Sequence, residues 1–235
     1  MRVKSLELRD RETGRKIIVT GHYGSGKTEF SVSLAMILAA KKEAKLALID
    51  LDIVNPYFRA RERREMLEEA GISVYGSIFK TEVTAELPAL GADIRAPLQD
   101  SSCRVIIDAG GNDSGALVLN QFTKYFTDEE TTVLAVINAN RPETHDIDGA
   151  IAHIATIEAA TGLVVKGIVN NCHMLRETTA DEVIKGHNLC LEVCEATGKE
   201  LWCNCYPEGI VAPEELFGIS GNLMPLGMYM RPTWL

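Results

Sequence analysis

The stretch KIIVTGHYGSGKT at residues 16–28 has the spacing of a phosphate-binding loop: glycine, four residues, glycine, lysine and threonine. Its glycines admit backbone conformations that other residues resist, and they keep side chains away from a ligand. Backbone N–H groups can then converge on phosphate oxygens at the start of the helix that follows. The apolar run before the loop and the helical spacing after it favour this interpretation over an ordinary glycine-rich turn.

The side chains of this loop have predicted roles of their own. Lys27 would reach the β- and γ-phosphates of a nucleotide, and the hydroxyl of Thr28 would bind Mg²⁺. The residues predicted to surround the phosphates are Gly21, His22, Tyr23, Gly24, Ser25, Gly26, Lys27, Thr28 and Glu29.

Three aspartates follow two further apolar runs. Asp50 and Asp52 come after residues 46–49, and Asp108 comes after residues 104–107. Ligands of open parallel sheets bind beyond the carboxyl ends of the strands, so we expect these carboxylates to meet at the loop. Phosphoryl transfer needs charge neutralisation and a positioned nucleophile. Asp50 and Asp108 are therefore predicted magnesium ligands, and Asp52 is predicted to orient the attacking water; the alternative for Asp52 is a cap of the next turn.

Strands and helices alternate along the chain, which predicts an α/β fold with a mostly parallel sheet and helices on both faces. The predicted strands are 16–20, 46–49, 72–75, 104–107, 132–137, 164–169 and 201–205, and the predicted helices are 28–41, 59–70, 146–160 and 180–197. Residues 3–8 are compatible with an extra, antiparallel strand. Residues 76–100 form no recognisable element and suit a lid or partner-binding loop. Without a linker or repeat, residues 1–235 are predicted to form one domain.

Composition narrows the class of partner. The formal net charge of −9 argues against broad nucleic-acid binding, which needs a basic surface. The N-terminus lacks the apolar core of a signal peptide, and the apolar stretch at 33–40 is too short to span a bilayer. We therefore expect a cytoplasmic protein with no membrane segment, whose six cysteines are reduced.

Five motifs in a fixed order resemble those of the MinD/ParA and CobQ/CobB-type P-loop ATPases of the SIMIBI class. They are GHYGSGKT, DLD at 50–52, DAGG at 108–111, NRPETHDIDGA at 140–150 and IVNN at 168–171. The resemblance implies ATP and Mg²⁺ as ligands and the roles given above. It also implies that Asn170 or Asn171 contacts adenine and that the backbone near Pro207 closes over the base.

The sequence departs from that family at His22, where MinD/ParA members carry a lysine that reaches the partner's nucleotide across a dimer. Its absence argues against an ATP-sandwich dimer, although a homodimer of another kind stays open. Nickel-handling GTPases have a similar loop but read guanine with an Asn-Lys-x-Asp signature. The sequence Asn170-Asn171-Cys172-His173 lacks that aspartate, which favours adenine.

These observations leave several functions open. The favoured one is slow, Mg-dependent ATP hydrolysis by a nucleotide-driven switch or accessory (maturation) ATPase with an unidentified protein partner. The alternatives are an ATP-dependent ligase or kinase of the dethiobiotin-synthetase or CobB kind, a binding module without hydrolysis, and a metallochaperone. The metallochaperone would use Cys190, Cys194, Cys203 and Cys205, for which burial in the core is the simpler interpretation. The apolar tail MYMRPTWL is expected to pack as a strand or to contact a partner.

Overall fold

The structure is a computed structural model that describes residues 14–52, 60–76, 94–111 and 118–230. Its strands are β1 (Lys16–Thr20), β2 (Lys45–Asp50), β3 (Ile72–Gly76), β4 (Cys103–Asp108), β5 (Thr131–Ile137), β6 (Val165–Asn170), β7 (Glu200–Pro207) and β8 (Leu223–Leu226). Its helices include α1 (Lys27–Lys41), α2 (Arg64–Glu69), α3 (Arg95–Gln99), α4 (Ile147–Thr161) and α5 (Ala180–Thr197).

The described strands form one sheet in the order β3-β2-β4-β1-β5-β6-β7-β8, and every neighbouring pair is parallel. β1 lies between β4 and β5, and its residues are all buried. Strands covered on both faces need apolar side chains on both, which is why β1 and β5 are nearly continuous apolar runs. The predicted α/β class is confirmed.

Alternate residues of the central strands face two separate apolar cores. Ile18 and Ile107 belong to a cluster that includes Ile154 of α4. Ile17 and Ile106 belong to a cluster on the opposite face, which contains much of α1. The helices therefore cover both faces, and the carboxyl ends of the strands form one edge on which α1 begins.

The predicted elements differ most from the observed ones at one helix and at two elements that contain proline. The predicted helix 59–70 is a short 3₁₀ turn, Ala60–Arg63, followed by α2. The sequence did not predict α3 or β8, whose Pro97 and Pro225 interrupt the usual patterns. The predictions for residues 3–8 and for most of 76–100 fall outside the described residues, as does the end of the tail. Within the described ranges, no helix is long and apolar enough to cross a membrane.

Candidate functional site

Two glycines mark close contacts of the loop between β1 and α1: Gly26 lies in the loop, and Gly111 lies in the segment after β4. Gly26 has a φ of 81°, and a Cβ there would lie 2.3 Å from Asn171 Nδ2. A Cβ on Gly111 would lie 1.7 Å from the carbonyl oxygen of Gly21. At Gly111 the overlap is with backbone, so another residue there would require the backbone to move; at Gly26 the positive φ and the Asn171 side chain both oppose a substitution. The segment after β4 therefore rests directly on the first residue of the loop.

The structure places the three predicted aspartates together at the carboxyl edge of the sheet. Asp50 and Asp108 are paired residues at the ends of β2 and β4, and both are buried, as is Asp52. Lys27 Nζ lies 2.7 Å from Asp52 Oδ2, and both side chains are almost inaccessible to solvent. The backbone N–H of Asp52 donates to Asp50 Oδ1 at 3.2 Å. Lys27 is therefore held by a carboxylate at the position where the phosphate chain is predicted to bind.

The carboxyl group of Asp108 is strongly perturbed. Burial raises the pKa of Asp108 to about 8, and the negative charges of Asp50 and Asp52 add to the effect, while Lys27 and the Thr28 hydroxyl oppose it. Neither of its oxygens has a partner at full hydrogen-bonding geometry within the described residues. An orphaned, buried carboxyl group beside a threonine hydroxyl suits Mg²⁺, which commonly takes one or two carboxylates and completes its shell with nucleotide oxygens and water.

We expect Asp108→Asn to raise the melting temperature of the nucleotide-free protein in the presence of a chelator. In wild type, the buried carboxyl group of Asp108 lies near two other carboxylates. It must either stay ionised away from solvent or keep its proton at a pH well above its ordinary pKa. Removing that cost should stabilise the fold by about 2 kcal/mol, which corresponds to roughly 4–8 °C for a chain of this size.

The control for this comparison is Asp100→Asn. Asp100 is an exposed carboxylate whose pKa is lowered to about 2, first by the hydroxyl of Ser102 and then by the Ser102 backbone N–H and Lys45. Its replacement should not raise the melting temperature. A lower melting temperature for Asp108→Asn would show that its carboxyl group is well accommodated without a metal.

A cavity of about 280 Å³ opens beside the phosphate loop. Its polar lining includes Lys27, Thr28 and residues of the loop, and its apolar lining includes an apolar wall formed by Leu226, Met228 and Met230. Its further lining residues are Tyr23, Gly24, Gly26, Glu29, Arg141, Asn171, His173, Leu175, Thr178 and Pro207. A lining that combines a lysine and the phosphate loop with apolar side chains is expected of a pocket for a phosphorylated, ring-containing ligand.

The two predicted base-contacting asparagines occupy different positions. Asn171 lines the cavity and donates from Nδ2 to the Ser25 carbonyl at 2.8 Å. Asn170 lies deeper, where Nδ2 donates to the carbonyl of Val183 and to Asn204 Oδ1 and its own oxygen accepts from Cys172 N. Asn171 is therefore the better placed of the two to meet a ligand; base contact by either asparagine stays a prediction.

His22 does not line the cavity. Its Nδ1 lies 3.5 Å from Glu143 Oε2, and its ring packs edge-on against His153 with centroids 5.4 Å apart. Burial, helped by the electrostatic effect of neighbouring His22 and Lys27, lowers the pKa of His153 to about 4, so that ring is neutral near pH 7. Tyr23, by contrast, is exposed and lies at the mouth of the cavity.

Arg141 is a cavity residue to which the sequence analysis gave no role. Its Nε donates to the Gly24 carbonyl at 2.9 Å. The turn that carries it is fixed by the buried Asn138, whose carbonyl accepts from Arg141 N at 3.1 Å and from the Thr144 hydroxyl at 2.9 Å. The sequence feature that could have indicated this role is the position of Arg141 shortly after β5, at the edge of the sheet where ligands bind. Arg141 brings a cation to the phosphate loop within the same chain.

The cysteines do not form the metal site considered for a metallochaperone. Cys190 belongs to one core cluster and Cys194 packs against it, whereas Cys203 and Cys205 belong to the cluster on the opposite face. Burial raises the pKa of Cys190, Cys194 and Cys203, which disfavours the thiolate form that binds metals. No group of three or more metal-binding side chains with suitable geometry occurs in the described part of the chain.

Comparison with known proteins supports the fold. No family model and no curated protein matches the sequence. Among solved structures, FtsY from Thermotoga maritima matches with TM-score 0.54 and 22% identity over 81% of this chain and 61% of its own. Chloroplast FtsY from Physcomitrella patens matches with TM-score 0.52 and 18% identity over 85% of this chain and 61% of its own. The 54 kDa signal recognition particle protein from Aeropyrum pernix, in complex with GDP, has TM-score 0.48 and 18% identity over 81% of this chain and 41% of its own.

The similarity to the two FtsY structures and the loop geometry define the class: the chain has the fold of a P-loop nucleoside triphosphatase. It spans about three fifths of the length of the FtsY chains that it matches. At this level of identity the similarity concerns the fold alone, so the MinD/ParA type stays a prediction.

Proposed function

We propose that this protein binds Mg-ATP at the loop 21–28 and hydrolyses it slowly, as a nucleotide-driven switch or accessory ATPase of MinD/ParA-like type. The observation that carries the proposal is the meeting of Lys27, Thr28 and Asp108 where the cavity reaches the loop. Lys27 would bind the phosphates, and Thr28 and Asp108 would hold Mg²⁺. The metal would neutralise charge on the phosphates during transfer.

The composition of the cavity favours adenine over guanine. Guanine presents two N–H donor groups on its pairing edge, and proteins commonly satisfy them with a carboxylate. Among the described cavity-lining residues the carboxylate is Glu29, whose oxygens already accept backbone N–H groups of Tyr229 and Met230 at 2.6 and 2.8 Å. The apolar wall suits the flat face of adenine, which needs no buried negative charge.

Two contacts support a switch. Lys27 is bound to Asp52, and a nucleotide would compete with Asp52 for that ammonium group. Gly111 packs against the backbone of Gly21. Movement of the loop on loss of the γ-phosphate would therefore displace the segment after β4. Both contacts adjoin the loops 52–60 and 108–116, whose shape we predict to change with the nucleotide and to be read by a protein partner.

The position of His22 supports the expectation that hydrolysis is slow. His22 stands where MinD/ParA members carry a lysine, and its ring contacts Glu143 and His153. A cation supplied in trans is worth about 10³-fold or more in related phosphoryl transfers. Arg141 also lies at the loop, but its Nε donates to the Gly24 carbonyl. Without a partner we therefore expect turnover well below one per second.

The proposal is tested by thermal unfolding with ATP, GTP or ADP, with and without Mg²⁺, together with phosphate release. A ligand at 100 times its dissociation constant adds about 2.7 kcal/mol, which should raise the melting temperature by roughly 5–10 °C. ATP should stabilise more than GTP. Greater stabilisation by GTP would overturn the base assignment, and no shift with either nucleotide would overturn nucleotide binding. A shift without phosphate release would make the protein a binding module.

A further inference from the structure

Glu29 lies in the first turn of α1, two residues after Lys27, beside the place proposed for the phosphates. A free carboxylate there would repel an anionic ligand. Glu29 instead faces the far end of the chain: its Oε1 accepts from Tyr229 N at 2.6 Å, and its Oε2 accepts from Met230 N at 2.8 Å. Both oxygens are thus occupied by consecutive backbone N–H groups, and hydrogen bonds to a charged acceptor are among the stronger ones in proteins.

The bound segment, Gly227–Met230, follows β8 and runs along α1. The backbone N–H of Gly227 donates to the hydroxyl of Ser33 at 3.2 Å. Glu29 and Ser33 are four residues apart, so they lie on one face of the helix. Met228 has a φ of 53°, a left-handed conformation that a methionine rarely adopts unless its surroundings hold it there. The segment is therefore held in a specific shape by contacts with α1.

That shape forms the apolar wall of the cavity. Met228 and Met230 line the same cavity as Lys27 and Thr28, together with Leu226 at the end of β8. Thioether side chains are flexible and polarisable, and they pack well against flat aromatic rings. A nucleotide whose phosphates occupy the loop would place its base in this part of the cavity.

We infer that Glu29 is a positioning residue that holds segment Gly227–Met230 as the wall against which the nucleotide base binds. Glu29 acts through the backbone of that segment and does not touch the base. This inference rests on the proposed function and adds to it the element that recognises the base.

The test compares the binding of ATP and inorganic tripolyphosphate to wild type and Glu29→Ala by calorimetry. Tripolyphosphate carries the charges of the phosphate chain without a base. In Glu29→Ala we expect the dissociation constant for ATP to rise at least tenfold, whereas that for tripolyphosphate stays the same or falls because a negative charge has been removed. Glu29→Gln keeps the shape and one acceptor oxygen, and it should show a smaller loss of the same kind.

The matched control is Glu215→Ala. Glu215 also accepts a backbone N–H, that of Ala212 at 2.8 Å, but it does not line the cavity. The Glu215→Ala variant should leave the dissociation constants for ATP and tripolyphosphate unchanged. If Glu29→Ala fails to fold, Glu29→Gln and Met230→Ala carry the test, and each should weaken ATP alone.

The outcomes separate this inference from the proposed function. If wild type binds ATP and Glu29→Ala keeps the wild-type ratio of the two dissociation constants, the inference is overturned and the proposed function stands. Tighter binding of both anions by Glu29→Ala would overturn it too, because Glu29 would then act only through its charge. If wild type binds neither ligand, the proposed function itself fails.

Discussion

Asp52→Asn is expected to retain Mg-ATP binding and to lose phosphate release by about a hundredfold or more, the range typical of a lost general base or water-positioning group. Asp52 is buried and lies 2.7 Å from Lys27 Nζ, at the point where the end of β2 meets the loop. Once Lys27 turns to the phosphates, the Asp52 carboxylate becomes available to orient water. A group that acts only in the transition state lowers kcat and leaves ground-state binding intact.

The contact between Lys27 and Asp52 also predicts how the dissociation constant for Mg-ATP changes in this variant. In wild type the nucleotide must displace Asp52 from Lys27, whereas an asparagine holds the ammonium group less strongly. The dissociation constant for Mg-ATP should therefore be equal or lower in Asp52→Asn. Steady-state phosphate release measures turnover, and calorimetry measures the dissociation constant. Both are compared between wild type, Asp52→Asn and the control Asp100→Asn, which changes an exposed carboxylate. Unchanged turnover in Asp52→Asn would return this residue to the role of a cap of the following turn.

Lys27→Ala is expected to abolish stabilisation by Mg-ATP, the roughly 5–10 °C shift expected of wild type at saturating ligand. Lys27 is buried between Asp52 and the loop and lines the cavity. Its removal also leaves buried carboxylates without their cation, and breaking a buried ion pair commonly costs about 3–5 kcal/mol. The variant should therefore melt lower even without nucleotide, so the informative quantity is the shift caused by ligand.

Lys16→Ala is the matched control for that experiment. Lys16 is also buried and ion-paired, with Glu130 at 2.8 Å, but it begins β1, whereas Lys27 follows the end of that strand. It should lower the melting temperature and keep the nucleotide-induced shift. If Lys27→Ala shifts with Mg-ATP as much as wild type does, Lys27 is not at the phosphates and the site assignment is wrong.

The sequence was sufficient for the parts of the site that depend on local pattern. The loop, the strand before it and the helix after it are contiguous, and the β-strand runs that precede Asp50 and Asp108 are long enough to recognise. Parallel topology then brings their ends to one edge of the sheet. The predicted P-loop fold is confirmed for these reasons, while the roles of Lys27, Asp50, Asp52 and Asp108 stay predictions.

The parts that could not be predicted depend on contacts between distant residues. Glu29 and Tyr229 are 200 residues apart, and Arg141 reaches Gly24 across 117. No periodicity in the sequence encodes such pairs. β8 was missed because it is four residues long and contains Pro225, which is tolerated at the edge of a sheet. The wall of the cavity was missed with it.

The position of that wall along the chain has a consequence for biosynthesis. A ribosome makes chains from the N-terminus, so the phosphate loop at 21–28 emerges long before Gly227–Met230. A nascent chain that has folded as far as β7 would have a loop able to bind phosphates but would lack the apolar wall that we propose for the base. That wall would form only when β8 joins the sheet and segment Gly227–Met230 reaches Glu29, so we expect full binding of the base only after β8 has folded.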